Sequence, residues 1–433
     1  MKDVADHYRD VVALGEPLPE STVPIDEALG RVLVEDIRAR FAVPPFTNSA
    51  MDGFAVRADE VREGHALRVS DDIPAGRTDI PVLPACCAIR IMTGAPMPEG
   101  ADAVIPVENT QDAGANMAPD PPARIVPTAT VPAGANVRRR GEDINEGDLL
   151  YPSGTHLTAA HLSALVSVGY GQVAVRSQVR VGVITTGEEL REAGADLALG
   201  QIPDSNSILL AGMVREAGAV PLVRAFHADT VEDFMRDLQD ILDQVDLLIT
   251  AGGVSAGAFD VVKAALRAYG VEFVKVGMQP GKPQGCGVLE PAGHSARRIP
   301  ILCLPGNPVS VFVSWHLFAV PLMRALAGEP PVDFDALFTT VRAGTGWSRK
   351  PGRVQFLPVT ARERKVTIGE CNRDERGTVA PDGVLIHPSS HGGSKSHFVA
   401  SLAGAAGLAR VPAERAKVEA GDLVDVMWLG RAR

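Results

Sequence analysis

The sequence predicts a multidomain chain of α/β and β domains, and its largest part is expected to be a doubly wound αβα domain. Strand and helix patterns alternate through residues 178–328, whereas the residues on both sides show short strand patterns separated by Pro and Gly. The chain has 433 residues with 43 Gly and 33 Pro, so it is long enough for two to four domains built from many short elements.

The N-terminal part is predicted to begin with a helix in the first dozen residues, where Val4, Tyr8 and Val11 recur at helical spacing. A second helix is predicted over residues 25–32, with Asp26 near its start and Gly30 near its end. Residues 54–140 predict short strands at 67–70, 87–92 and 103–106, with a loop over 112–122. This region should form a small, mostly-β domain.

The α/β region begins with a strand at 179–185 and continues with strands at 220–223, 246–250 and 272–276. Helices are predicted between them at 207–217, from a Thr230 cap onward, and at 260–268. A hairpin around Val288 and Ile301 and a helix over 309–327 complete the unit. We expect a parallel sheet covered on both faces, with its ligand beyond the carboxyl ends of the strands.

The C-terminal residues 332–433 predict strands at 338–342, 354–359, 365–368, 407–411 and 423–428, with no convincing helix. A small β-barrel or sandwich is therefore expected there.

Composition excludes several classes of protein. The net charge of −11 argues against a nucleic-acid partner. The sequence contains no run of about 18 apolar residues, so a membrane-spanning segment is not expected. The first residues are polar and lack the apolar segment of a signal peptide, so we expect a soluble cytoplasmic protein. Five Cys without a C-x-x-C pair argue against disulfides and a Cys-bound zinc.

Two glycine-containing turns are candidates for anion binding. The turn around Gly252, Gly253 and Ser255 follows a buried strand, so its backbone N–H groups can converge on a phosphate. Asp260 begins the next helix, either as its cap or as a ligand of a divalent cation beside the phosphates. Lys282 lies between Pro280 and Pro283, which stiffen the backbone on both sides of it. Either this backbone holds the Lys282 ammonium in place for an oxyanion, or the segment is a rigid turn with an incidental Lys.

Other strand-end residues point to the same crevice. The Leu304-Pro305-Gly306-Asn307-Pro308 turn precedes a helix whose first turn contains Ser310 and has free N–H groups. Glu189 follows the first strand, as a solvated acid or a ligand carboxylate, and residues 204–206 either cap a helix or reach the crevice. Residues 138–140 are three arginines, in a solvated loop or at an anion site. Together these residues predict a phosphate-bearing ligand with a divalent metal.

Seven stretches in chain order resemble the molybdopterin molybdenumtransferase family, which includes bacterial MoeA and the E domain of gephyrin. They are PFTNSAMDGFAVR at 45–57, RIMTGAP at 90–96, RRRGEDI at 138–144, TGEEL at 186–190, GGVS at 252–255, PGKP at 280–283 and LPGNPVS at 304–310.

The resemblance implies a homodimer with four domains per chain: an N-terminal linker domain (1–53 with 141–177), a small mostly-β domain (54–140), a molybdopterin-binding αβα domain (178–328) and a C-terminal β-barrel domain (329–433). It also implies that the ligand is molybdopterin-AMP, into which molybdate is inserted with Mg²⁺-dependent release of AMP. The site is expected to be shared between the two subunits.

The resemblance assigns roles to individual residues. The expected catalytic residues are Asp52, Thr93, Asp143, Glu189 and Asp260, and the expected Mg²⁺ ligands are Asp260, Glu189 and Asp229. Molybdopterin-AMP is expected to contact Gly252, Gly253, Ser255, Lys282, Pro305, Asn307 and Pro308. Molybdate is expected to contact Lys282, Pro283, Ser310, Arg353, and Ser396 or Ser401.

Two departures from the family pattern concern the metal and oxyanion sites. Gln279 lies where the family often has a second Lys, and Ala228-Asp229 lies where it often has paired Asp. A paralogue with a changed oxyanion preference, such as tungstate, is one alternative that these departures leave open. Two further alternatives for the function do not depend on these departures. They are a molybdopterin adenylyltransferase, which shares the α/β domain, and a non-catalytic scaffold.

Overall fold

The computed structural model describes residues 1–116, 118–226, 230–253, 261–290, 297–363, 383–390 and 397–430. The chain forms two compact units. The large unit comprises Met1–Ser21, Gly30–Val32 and Val175–Arg433, and the small unit comprises Thr22–Leu29 and Leu33–Ala174. The finer division into four domains remains a prediction.

Short and medium-length helices are distributed over both units. The α-helices are α1 (Val4–Val12), α2 (Ala113–Asn116), α3 (Ala159–Ser167), α4 (Ser205–Glu216), α5 (Val231–Leu242), α6 (Val261–Ala268), α7 (Pro308–Ser314) and α8 (Val320–Leu326). A π-helical turn, Trp315–Ala319, joins α7 to α8. Short 3₁₀ helices are Ile25–Glu27, Ala58–Glu60, Val107–Asn109, Asp335–Leu337 and Val399–Gly404.

The strands are mostly short, as the Pro and Gly content predicts. They are β1 (Glu20–Pro24), β2 (Ile37–Arg38), β3 (Asn48–Ser49), β4 (Gly53–Val56), β5 (Leu67–Ile73), β6 (Cys87–Ile91), β7 (Ala103–Pro106), β8 (Arg124–Ile125), β9 (Val137–Arg138), β10 (Leu149–Tyr151), β11 (Gln172–Arg176), β12 (Arg180–Thr186), β13 (Leu190–Arg191), β14 (Ile202–Pro203), β15 (Val220–Phe226), β16 (Leu247–Ala251), β17 (Glu272–Lys275), β18 (Met278–Gln279), β19 (Pro283–Leu289), β20 (Ile299–Leu304), β21 (Thr339–Ala343), β22 (Trp347–Ser348), β23 (Val354–Glu363), β24 (Val384–Pro388), β25 (Gly407–Val411), β26 (Lys417–Val418) and β27 (Leu423–Trp428).

The small unit is built around a five-stranded sheet in the order β7-β4-β6-β5-β8. Its core contains Phe54, Ile89 and Ile105, so the predicted mostly-β character of this region is confirmed. The predicted helix over 25–32 is wrong. Only Ile25–Glu27 is helical, as one 3₁₀ turn, and the chain turns at Gly30, whose φ is +75°. The predicted loop over 112–122 contains the four-residue helix α2.

The large unit contains a six-stranded sheet in the order β15-β12-β16-β20-β19-β17. Side chains alternate across it, so Val181 and Val183 face a core with α4 and α7, and Ile184 faces one with α5. Helices cover both faces, as predicted. The first four strands in this order are parallel. Strand β19 runs in the opposite direction and pairs antiparallel with both β20 and β17, because β19 and β20 form the predicted hairpin.

The C-terminal region forms a closed β-barrel, which confirms the barrel alternative. Its strands follow the order β23-β24-β21-β27-β25, and β25 pairs with β23 to close it. The short strand β18 adds in parallel to β23. The sequence did not predict β24, and the strand predicted at 365–368 lies outside the described residues.

Among the described residues, one helical segment is long and apolar enough to span a membrane, Pro308–Leu326. It is 67% buried and contributes Val311, Trp315 and Leu322 to the core of the large unit. Pro321 lacks a backbone N–H group, and the preceding Val320 N–H bonds to Trp315 O across a π turn.

Candidate functional site

Three strand-end loops of the large unit meet at the carboxyl ends of β12, β16 and β20. Gly252 N donates a hydrogen bond to Leu304 O at 3.1 Å, and its φ is +102°. A Cβ on Gly252 would lie 2.9 Å from Thr186 O, and one on Gly306 would lie 3.5 Å from Gly252 Cα. The positive φ and the close approach to Thr186 O require glycine at Gly252, whereas the contact at Gly306 is an ordinary one. Peptide groups therefore line one crevice.

The beginning of α4 is tied to the same crevice. Asp204 accepts hydrogen bonds from Ser207 N at 3.0 Å and from Thr185 Oγ1 at 2.7 Å, so it both caps the helix and binds the end of β12. Asn206 Nδ2 donates to Gly306 O at 2.7 Å. Both functions that the sequence left open for residues 204–206 are therefore present.

The expected metal ligands are only partly described. Glu189 is exposed, and its carboxylate lies over the turn, since a Cβ on Gly187 would be 2.7 Å from Glu189 Oε2. Asp229, Asp260 and Ser255 lie outside the described residues. In the part of the chain that is described, no group of three or more His, Cys, Asp or Glu could hold a metal ion.

The Lys282 turn lies at the same edge of the sheet. Gly285 pairs with Cys303 in the antiparallel register, so the start of β19, at Pro283, lies beside the end of β20 and the Pro305 turn. Lys282 O accepts a hydrogen bond from Val276 N at 2.8 Å, which fixes the backbone. Within the described residues its ammonium forms no ion pair, so its charge is available to an anion.

Helix α7 places two serines opposite this turn. Asn307 is its N-cap and Pro308 its first residue. Ser310 and Ser314 are four residues apart on one helix face, and both are buried. Gln284 Nε2 donates to Ser314 Oγ at 2.8 Å and to Gly281 O at 2.7 Å. Sequence analysis did not identify Gln284 or Ser314. Their only distinguishing feature in the sequence is that each is a polar residue within a mostly apolar strand or helix.

The barrel adds two arginines. Arg353 Nη1 donates to Met278 O at 3.4 Å, next to Gln279. The guanidinium of Arg349, which the sequence also missed, donates to Val411 O, Pro412 O and Lys350 O at 2.7–3.1 Å, and to Arg353 O. Burial, and then the charge of Arg353, lowers the pKa of Arg349.

Ser401 is half-buried in the 3₁₀ helix Val399–Gly404, which packs against α7. Its Oγ donates to Phe398 O at 2.8 Å. Ser396 lies outside the described residues.

The small unit brings together two of its three expected site residues. Asp52 Oδ1 accepts hydrogen bonds from Thr93 N and Thr93 Oγ1, both at 2.7 Å, and these bonds lower the pKa of Asp52. Asp143 lies on a different loop, held by a hydrogen bond from its N to Val43 O at 2.9 Å, and its carboxylate is exposed. Burial, and then the charge of Asp143, raises the pKa of Tyr151.

The three arginines at 138–140 are exposed at the end of β9. Arg140 pairs with Glu146 at 3.0 Å, whereas no ion pair of Arg138 or Arg139 is present among the described residues. Both functions that the sequence left open for this stretch therefore remain open.

Comparison with known families finds matches along most of the chain. Residues 2–169 match the MoeA N-terminal region (domain I and II), residues 182–325 match a probable molybdopterin binding domain, and residues 376–429 match the MoeA C-terminal region (domain IV).

Similar proteins extend over the whole chain. Molybdopterin molybdenumtransferase 2 of Mycobacterium tuberculosis is 39% identical over 438 aligned positions, covering 98% of this chain and 99% of the relative. Molybdopterin molybdenumtransferase of Haemophilus influenzae is 32% identical, covering 95% and 94%. The crystal structure of the molybdopterin biosynthesis MoeA protein from Pyrococcus horikosii is 27% identical, with a TM-score of 0.70 and coverage of 100% of both chains.

Proposed function

The chain belongs to the molybdopterin molybdenumtransferase (MoeA) family, and we propose that it inserts molybdate into adenylylated molybdopterin with release of AMP. It is a transferase of molybdenum cofactor biosynthesis. The observation that carries the proposed reaction is the Lys282 turn, which lies at the sheet edge where the glycine-lined loops meet and whose ammonium forms no ion pair with any described residue.

In the proposed mechanism, the backbone around Gly252 and Gly253 binds the phosphates of the adenylylated pterin. Lys282, Ser310 and Arg353 hold molybdate through an ammonium, a hydroxyl and a guanidinium. Both ligands are negatively charged, so the protein must offset their repulsion while it holds them in contact. The two dithiolene sulfurs then replace one oxygen of molybdate, which leaves as water with the two thiol protons. A water molecule hydrolyses the phosphoanhydride, which releases AMP and leaves the phosphate on the pterin.

Mg²⁺ is part of the proposal. Glu189 is the one proposed ligand among the described residues, and its carboxylate oxygens suit this ion, with Asp260 and Asp229 as the other proposed ligands. When bound, Mg²⁺ would offset the charge of the phosphoanhydride.

The proposed assembly is a homodimer. In this dimer, three residues of one subunit would complete the site of the other: Asp52, Thr93 and Asp143. The Asp52 carboxylate would stay ionised there, because Thr93 donates two hydrogen bonds to it. We also propose a cytoplasmic location.

An assay with purified molybdopterin-AMP, Mg²⁺ and varied molybdate or tungstate tests the proposal. We expect AMP release that saturates with oxyanion concentration. Transfer of AMP from Mg-ATP to molybdopterin, without this activity, would instead identify an adenylyltransferase. Binding of molybdopterin-AMP with no AMP release at saturating molybdate would identify a scaffold, and saturation by tungstate alone would identify a paralogue with a changed oxyanion preference.

A further inference from the structure

We propose that Gln284 is a positioning residue that holds the Lys282 turn against α7 and thereby sets the affinity of the site for its oxyanion. This inference rests on the proposed function, because it concerns the same pocket. Gln284 itself is not a catalytic residue, since it acts through Lys282 and Ser310.

The first observation is a buried bridge between three elements. The Gln284 side chain belongs to β19, and its Nε2 donates to Gly281 O in the turn at 2.7 Å and to Ser314 Oγ in α7 at 2.8 Å. Gln284 is 2% exposed and Ser314 is fully buried. Water therefore cannot replace either bond without a rearrangement of the turn.

The second observation is that the turn packs directly on this bridge. Gly281 has φ +92°, and a Cβ there would lie 3.1 Å from Gln284 Nε2, 3.2 Å from Ser314 Oγ and 3.2 Å from Met278 Cε. The residue that precedes Lys282 thus lies against both polar partners. The position of the Lys282 backbone follows from the position of the Gln284 amide.

The third observation concerns what faces the turn. Ser310 lies one helical turn before Ser314 on the same face of α7, so it is directed toward the same side. It is 2% exposed, and within the described ranges its hydroxyl has no protein partner. The Gln284 bridge therefore fixes the backbone of the Lys282 turn relative to the helix that carries Ser310. Among the described residues, neither the Lys282 ammonium nor the Ser310 hydroxyl has a protein partner.

The neutral residue at 279 makes this placement more important. Gln279 carries no charge, so Lys282 provides the single ammonium of the 279–283 segment. A lysine ammonium on a flexible stem binds well only when its backbone is fixed, because the entropy lost on binding is then smaller. A loosened turn should weaken oxyanion binding more than it slows the reaction of the saturated enzyme.

The test replaces Gln284 with an unbranched apolar residue of similar length in the full-length protein. For Gln284→Met we expect the molybdate concentration at half-maximal AMP release to rise about tenfold, with kcat at saturating molybdate and the half-saturating molybdopterin-AMP concentration within about twofold of wild type. Ser314→Ala removes one of the two acceptors, so a rise of about threefold is expected.

Asn116→Leu is the matched control. Asn116 is also a buried amide, 4% exposed, whose Nδ2 donates to a hydroxyl (Thr110 Oγ1, 2.8 Å) and to a carbonyl (Gln111 O, 2.9 Å), but it belongs to the small unit. The Asn116→Leu variant should have a lower melting temperature than wild type but the same molybdate concentration at half-maximal AMP release.

Equal molybdate half-saturation in Gln284→Met, Ser314→Ala and wild type would overturn the positioning role. The positioning role would also be overturned if Gln284→Met lowered kcat by the same factor as kcat/KM for molybdate, because the molybdate KM would then be unchanged. If the wild-type protein itself shows no molybdate-dependent AMP release, the proposed function fails instead.

Discussion

At the scale of single residues, charge at position 279 is the clearest departure from the family pattern. Gln279 lies in β18 and directly follows Met278, whose carbonyl accepts a hydrogen bond from Arg353 of the barrel. The resemblance implies that a second Lys often stands at this position. An added ammonium would raise the positive potential around a divalent oxyanion. Gln279→Lys should therefore lower the molybdate concentration at half-maximal AMP release, by about threefold to tenfold.

Gln279→Met is the control for this change, because it alters the side chain without adding charge. The Lys variant should also lose part of its gain at high salt, since screening weakens the added attraction. A half-saturation value that is unchanged or higher in Gln279→Lys would contradict the importance of charge here.

Two histidines of the large unit, the buried His7 and the partly buried His316, are expected to make its stability depend on pH. Burial lowers the pKa of His7 and of His316 to about 4 each, from 6.5, and the charge of Lys2 contributes at His7. Each ring packs edge-on against a Phe, His7 on Phe318 at 4.8 Å and His316 on Phe312 at 4.7 Å. The native state therefore keeps both rings neutral.

The unfolded chain binds more protons than the native chain between pH 6.5 and about 4, so stability should fall as the pH is lowered through this range. A pKa lowered from 6.5 to about 4 corresponds to about 3 kcal/mol per histidine. Urea unfolding at several pH values measures this loss, and His316→Met should reduce it. The exposed His65→Gln variant is the control, and an equal slope in His316→Met and wild type would refute the assignment.

At the scale of elements, the Lys282 turn should be intolerant of any side chain at Gly281. Gly281→Ala places a Cβ 3.1–3.2 Å from Gln284, Met278 and Ser314 at φ +92°, so packing conflict adds to backbone strain. Gly270 ends α6 at φ +84° with no described atom within 4 Å of a Cβ. Gly270→Ala therefore measures the strain alone.

We expect Gly270→Ala to lower the free energy of unfolding by about 1 kcal/mol and Gly281→Ala by about 2–4 kcal/mol. Urea unfolding measures both. Gly281→Ala should also raise the molybdate half-saturation, as Gln284→Met does, whereas Gly270→Ala should not. If the two alanine variants are equally stable, the turn is not packed as described.

Elements with a strong local signal were predictable from sequence. Helix α5 has apolar residues at helical spacing and a cap in which Thr230 Oγ1 accepts from Asp233 N at 3.1 Å. The prediction of a helix over 25–32 was wrong, although Asp26 and Gly30 resemble helix-end signals. Leu29 is 57% exposed, so the segment lacks the packed apolar face that would stabilise a longer helix. Strand β24 has a short apolar signal, and its place depends on long-range pairing with β23 and β21.

At the scale of the whole molecule, the chain forms two compact units, and each contains some of the predicted site residues. Strand-end logic predicted the crevice at Gly252, Pro305 and Lys282, because parallel strands bring their carboxyl ends to one edge. No periodicity could pair Asp52 with Thr93, which are 41 residues apart, and the resemblance alone suggested them. Gln284 and Arg349 were missed because their hydrogen bonds depend on tertiary placement.

The proposed function makes molybdenum insertion and AMP release one coupled process. A single-turnover reaction with limiting molybdopterin-AMP tests it most directly, by measuring free AMP and pterin-bound molybdenum in the same samples. We expect both to rise together, with one AMP released per molybdenum inserted, and Lys282→Met to slow both equally at low molybdate. AMP release at the full rate without molybdate, or molybdenum incorporation with the AMP still attached, would contradict it.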